Sequence, residues 1–209
     1  MLEYIATGTG RCGTRYVSRV LSEVGIPCGH ESIFQPKGIV KNDRLQADSS
    51  WLAAPYLNHD IALNVPVIHV KRHPVDVVSS YVHIGFFDRV RNLNCRGPYA
   101  LFARRHDPDI LYTMYANPIA AAVHWVDYWT KKVASMSKGH RTLVYCIEDD
   151  IEPLLAFVGG DKKAIDKVNR LGKNCNSRGK HQRILPKAVS DKKVRLKYQE
   201  LVDRYAARA

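Results

Sequence analysis

The chain has 209 residues, 45% of them hydrophobic and 25% charged, which suits one folded domain with a full core and excludes a disordered, highly charged protein. Lys and Arg number 32 against 20 Asp and Glu, a formal +12 that favours an anionic ligand or partner but fits a nucleotide pocket, a nucleic acid or an anionic glycan equally. Apolar runs stop well short of the roughly 18 residues that a membrane-spanning helix needs, and the five cysteines form no C-x-x-C pair, which argues against a zinc site or a disulfide framework.

The chain reads straight into its first strand with no positive-then-apolar leader ahead of it, so a cytoplasmic location is the expectation. Tyr4 to Ala6 is a short apolar run, followed by Gly8, Gly10 and Gly13. Val17, Val20, Leu21 and Val24 then recur at i, i+3, i+4 and i+7, one face of a helix that starts near Thr14. Strand, glycine-rich turn and helix aim consecutive N–H groups at one small volume, where an anion can be held. A plain structural junction has the same pattern. The spacing Gly8-x-x-x-x-Gly13 nearly makes a Walker A loop, but Thr14 and Arg15 stand where Lys and Ser/Thr should follow. The cation inside the loop is Arg11.

Gly25 to Gly29 reads as a turn with at most a very short strand, and His30 and Glu31 follow it directly. Residues 32–60 are mixed, with Ser50 as a cap for a short helix that Pro55 interrupts. Val65 to Val70 is a near-continuous apolar run of the kind buried in a parallel sheet. It leads into Lys71-Arg72-His73-Pro74, with Pro74 at the first position of a helix whose apolar face is Val75, Val78, Tyr81 and Val82. A second strand thus feeds a basic turn and a helix, and its end should lie beside Arg11, because ligands collect at the carboxyl ends of strands in open sheets.

From Gly85 to Ala116 aromatic residues mingle with Arg89, Arg91, Arg96, Arg104 and Arg105 without clear periodicity. This insertion suits an acceptor-side wall or lid, a surface excursion, or a platform for stacking bases. Asn117 caps and Pro118 opens the strongest helix pattern, with Ile119, Ala122, Val126, Trp129 and Val133 on one face and the tryptophans as packing residues. Arg141 to Ile147 reads as a third buried strand. Short helices follow through Leu154 to Phe157 and from Lys162 to Leu171, then a basic loop at 171–180, then a last helix from about Ser190. Neither an internal repeat nor a second-domain boundary is visible, so residues 1–209 read as a single domain.

The two basic turns make the chain resemble the sulfotransferases that use 3'-phosphoadenosine 5'-phosphosulfate (PAPS). GRCGTRYVSRVL at 10–21 is similar to the family's 5'-phosphosulfate loop. VIHVKRHPVDVVSSYVH at 67–83 is similar to its 3'-phosphate motif, with an arginine and then a serine eight residues on. YCIEDDIEPLLAFVG at 145–159 is a looser match, and Asn176 to Lys180 resembles the late basic loop that closes over the nucleotide. Arg11 in place of the cytosolic enzymes' lysine is closer to the carbohydrate and tyrosylprotein branches.

The resemblance implies a three-layer α/β/α fold with a central parallel sheet, the P-loop NTPase-like sulfotransferase fold. It implies that Gly10, Arg11, Cys12, Gly13, Thr14 and Arg15 surround the 5'-phosphosulfate and that Arg72 and Ser80 bind the 3'-phosphate. Arg178, Gly179 and Lys180 would close the late loop. CGHES at 28–32 resembles a C-G-E-E segment of the tyrosylprotein branch, which makes Glu31 the catalytic base and His30 its neighbour, with Arg11 as the catalytic cation. The expected activity moves a sulfuryl group from PAPS to a hydroxyl or amine, leaves adenosine 3',5'-bisphosphate, and uses no metal. The acceptor stays open among sugar, tyrosine, lipid and small molecule.

The residues also keep plainer readings: Glu31 as an exposed or arginine-paired carboxylate, Ser80 as a hydroxyl bonded back to its own helix, and His69 as a packed strand residue, with His83 a weaker candidate that could face the cleft. Two other functions compete. A P-loop-like nucleotide or nucleoside kinase would need Mg²⁺ and lacks its lysine. A non-catalytic nucleic-acid-binding module explains the charge but leaves two anion turns at strand ends as coincidence, so a nucleic-acid partner is not expected.

Overall fold

The computed structural model describes residues 2–87, 97–110, 117–160, 162–171 and 182–207, with only the backbone of 162–164. Packing divides the chain into two compact units, Met1–Arg72 with Lys131–Arg178, and His73–Thr130 with Gly179–Ala209. The fold is a three-layer α/β/α arrangement about a central parallel sheet, a Rossmann-like plan in general terms.

The sheet belongs to the first unit. Its strands are β1 (Tyr4–Gly8), β2 (Cys28–His30), β5 (Ala47–Ser49), β6 (Val67–Lys71) and β7 (Thr142–Cys146), in the order β2-β5-β1-β6-β7 and all parallel. A separate hairpin, β3 (Phe34–Gln35) with β4 (Gly38–Ile39), sits in the connection from β2 to β5. Ile5, Ala6, Val67, Ile68 and Val70 are buried because β1 and β6 are inner strands with neighbours on both sides. His69 is buried too, as a packed strand residue.

Three sequence expectations need correction. β7 is an edge strand rather than a buried one: it ends the sheet order among the described residues, and Val144 is 52% exposed. β5 was hidden in the mixed stretch, because three residues with two polar side chains carry no apolar run. Within the aperiodic 85–116 stretch, Pro98–His106 is a helix that buries Phe102 and Ala103.

Helix α1 (Thr14–Glu23) connects β1 to β2 and buries Val17, Val20 and Leu21, each burial worth about 1.5–3 kcal/mol. It steps along the sheet past β5, whereas the 3₁₀ turns Trp51–Tyr56 and Asp60–Ala62 carry the chain from β5 past β1 to β6. Crossovers of the usual right hand that step in opposite directions cover opposite faces. The reversal makes the carboxyl ends of β1 and β6 the switch point, where open sheets place their ligands. Ser50 caps the first of these turns, its Oγ accepting the Leu52 N–H at 3.2 Å, as the sequence suggests.

The second unit contains α2 (Pro74–His83), α3 (Pro98–His106), the first part of α4 (Pro118–Met136) and the C-terminal helix Lys192–Ala206. Pro74 and Pro118 open their helices, and Asn117 accepts the Ile119 N–H at 2.8 Å. Trp125 and Trp129 are buried and stacked at 4.6 Å, and the Trp125 indole donates to the Tyr81 hydroxyl at 3.1 Å, so both are core residues. The segment around Ile184 is tied to α2 by the Ile184 N–H on Ser79 Oγ (2.8 Å) and by Arg183 on Asp76 (2.8 Å). Among the described residues no helix is long and apolar enough to cross a membrane.

Candidate anion-binding and active site

In the parallel register Gly8 stands opposite Val70, so the glycine-rich loop after β1 and the Lys71-Arg72 turn after β6 leave the sheet side by side. A Cβ on Gly8 would meet the Val70 carbonyl oxygen at 2.1 Å, a contact only glycine permits. The loop then takes two left-handed steps, Arg11 at φ 70 and Gly13 at φ 106. Arg11 is the telling one. A non-glycine residue in this region costs on the order of 1–3 kcal/mol and persists where the surroundings demand it.

Gly13 is the N-cap of α1 and makes no side-chain cap bond, and the first turn of the helix contains no acidic residue. The positive end of the helix is therefore not offset by a side chain of its own first turn, which favours an anion there. A Cβ on Gly13 would come within 2.9 Å of the Ile147 side chain, so the loop is packed closely on the chain just past β7.

Arg72 is the second cation of this corner. Its Nε is buried and has no hydrogen-bond partner among the described residues. Its positive charge is felt by Cys12 inside the loop, although burial dominates and pushes that thiol up to about 12. A buried guanidinium N–H without an acceptor is costly, and a phosphate oxygen is the kind of acceptor it fits.

On the other side of α1, β2 and β5 bring His30 and Glu31 to the same loop. His30 Nε2 lies 3.3 Å from Thr14 Oγ1, and Ser49 Oγ donates to the Thr14 carbonyl at 2.6 Å. His30 stands opposite Ser49 in the register, and the Glu31 N–H reaches the Ser49 carbonyl at 3.4 Å. Glu31 Oε1 is 3.9 Å from His30 Nε2. Burial, helped by the Arg15 charge and opposed by Asp48, lowers the proton affinity of His30 and leaves it neutral at neutral pH. Glu31 has φ 56, the second left-handed residue of this site, after Arg11, that is not glycine.

The first unit thus brings together Gly10, Arg11, Cys12, Gly13, Thr14, Arg15, His30, Glu31 and Arg72. Ser80 is buried on α2 in the second unit, and His83 is exposed on the same helix. Arg178, Gly179 and Lys180 lie outside the described residues, as do Arg89, Arg91 and Arg96 of the insertion. Sequence reasoning missed Asp48, a fully buried carboxylate on β5, and Ser49 beside it. Neither belongs to a motif. Among the described residues no group of three or more His, Cys, Asp or Glu is arranged to hold a metal.

Comparison with protein-family models, with curated proteins and with solved structures finds no match to this chain.

Proposed function

We propose that the chain is a PAPS-dependent sulfotransferase whose nucleotide lies across the carboxyl ends of β1 and β6. The observation that carries this reading is the buried Nε of Arg72, without a hydrogen-bond partner among the described residues, beside a glycine-rich loop that leads into a helix with no acidic residue in its first turn. One cationic turn would be unremarkable. Two, on neighbouring strands at the switch point, suit a ligand with phosphates at two positions. The loop lacks the lysine that a kinase of the P-loop type would use.

Residues 10–15 and Arg72 fit this nucleotide by chemistry. Backbone N–H groups of the loop and the Arg11 guanidinium suit the 5'-phosphosulfate, and Arg72 suits the 3'-phosphate, because guanidinium groups pair with phosphate and sulfate oxygens and stay charged. When bound, PAPS supplies the sulfuryl group: a bond from the acceptor oxygen to sulfur forms as the bond from sulfur to the 5'-phosphate oxygen breaks. Glu31 takes the acceptor's proton. Arg11 and the N–H groups at the start of α1 stabilise the negative charge that develops on the departing phosphate oxygen. His30, neutral and beside Thr14, orients the acceptor side.

Replacing Glu31 by glutamine keeps the shape and removes the base. With an acceptor in hand, turnover should fall roughly 10²–10⁴-fold while affinity for adenosine 3',5'-bisphosphate stays the same. His30→Ala should cost far less. Near-normal turnover in the glutamine variant would remove Glu31 from this role, and a collapse in the His30 variant would move the base one residue back.

A further inference from the structure

We propose that Asp48 is a positioning residue that holds the His30–Glu31 pair against the start of α1; its kinetic consequence rests on the sulfuryl-transfer reading, its geometry does not. Asp48 lies in the middle of β5 with no exposed surface. A carboxylate in that position is expensive unless its oxygens are satisfied. They are satisfied by one short stretch of backbone: the Ser32 N–H donates to Oδ1 at 3.0 Å, and the Ile33 and Phe34 N–H groups donate to Oδ2 at 3.2 and 3.0 Å. These are the three amides that follow Glu31 directly.

The turn they close is the one that needs closing. Glu31 is left-handed at φ 56, and such a conformation in a residue that is not glycine is kept only where its surroundings over-determine it. On the near side, Gly29 brings the backbone so close that a Cβ would stand 2.7 Å from Asp48 Oδ1 and 2.6 Å from Ser32 Cβ. Asp48 therefore bonds the chain just after Glu31 and packs closely against Gly29 just before His30. The next residue of β5, Ser49, bonds the Thr14 carbonyl, so the strand that holds the turn also holds the start of α1. Asp48 also acts on His30 through charge, opposing the burial and the Arg15 charge that lower that histidine's proton affinity. An ordinary buried core residue at position 48 would pack, but it would leave three consecutive amides without acceptors. Asparagine would accept with one oxygen and turn an amide N–H₂ toward a backbone N–H.

The test is a cycle on the full chain. Asp48→Asn should lower kcat by about 10²-fold, the scale of a misplaced reacting group, while the affinity for adenosine 3',5'-bisphosphate stays within about twofold. In a Glu31→Gln background the same change should cost little more, because residues that act as a unit are non-additive. An equal loss in both backgrounds, or a parallel loss of bisphosphate affinity, would overturn the positioning role and leave a packing residue. Should Asp48→Asn fail to fold, NMR of the native chain reads the same hold: the Ser32, Ile33 and Phe34 amide protons should titrate together with the Asp48 carboxyl. Amides that ignore that ionisation would overturn the proposal. If the native chain transfers no sulfuryl group, the sulfotransferase reading fails while the amide titration still decides Asp48.

Discussion

Gly8 and Val70 approach so closely that any side chain on Gly8 would stand 2.1 Å from the Val70 carbonyl oxygen and 2.7 Å from Cys12 Sγ. The oxygen belongs to the paired backbone of β6 and cannot retreat without disturbing the sheet. This contact is what sets the two basic turns side by side. Gly8→Ala should destabilise the chain by at least the 1–3 kcal/mol typical of overpacking, read as a lower urea midpoint, and should weaken bisphosphate binding with it. An unchanged midpoint would mean that β1 and β6 can separate at no cost.

His30 gives stability a pH dependence of known sign. Folding lowers its proton affinity below the ordinary 6.5, with burial as the main cause and Arg15 as the second. Between the unfolded value and the lower folded one, the unfolded chain binds more protons, so stability rises with pH across that window. The contribution is present in full above about pH 6.5 and is lost as the pH falls through the folded value. His30→Gln should therefore flatten the fall in unfolding midpoint between pH 7 and 5. A variant with the native slope would show that the ring is not buried against Thr14.

Much of the corner was legible in the sequence because its parts are regular. β1 and β6 are apolar runs, α1 and α2 have clean helical periods, and Gly8, Gly13 and Pro74 mark the junctions. What stayed hidden depends on partners far along the chain. Asp48 looks like a loop aspartate until the amides 14 to 16 residues before it close on its carboxylate. β5 has three residues and no apolar alternation, and it becomes a strand because β1 and β2 flank it. β7 is apolar enough to read as buried, and only the sheet order reveals that it is an edge.

Thiol chemistry checks the packing of the loop independently of any ligand. Cys12 has no exposed surface, and burial pushes its thiol up to about 12. Cys28 is driven up by burial and by the neighbouring Asp48. The thiolate is the reactive form, so both should resist alkylation at pH 8 in the folded chain and react once it is denatured. Peptide mass spectrometry after iodoacetamide reads this site by site. Rapid labelling of Cys12 in the native chain would contradict a closed loop.

Arg72 is the residue whose loss should separate two nucleotides. Arg72→Ala should weaken adenosine 3',5'-bisphosphate by about 10–100-fold, on the scale of a hydrogen bond to a charged group. Adenosine 5'-phosphosulfate has no 3'-phosphate and should lose much less. Calorimetry on both measures the difference, and equal losses would remove Arg72 from the 3'-phosphate.

The central claim is that the two turns at the ends of β1 and β6 hold a nucleotide with phosphates at the 3' and 5' positions. Ligands that bind only the folded state raise its melting temperature. A thermal-shift comparison of adenosine 3',5'-bisphosphate, ATP with Mg²⁺, and a short DNA duplex tests the claim directly. The bisphosphate should give the clear shift, undiminished by EDTA. A shift with ATP–Mg²⁺ alone would replace the sulfotransferase reading with a kinase, and a shift with DNA alone would make the basic surface a nucleic-acid site.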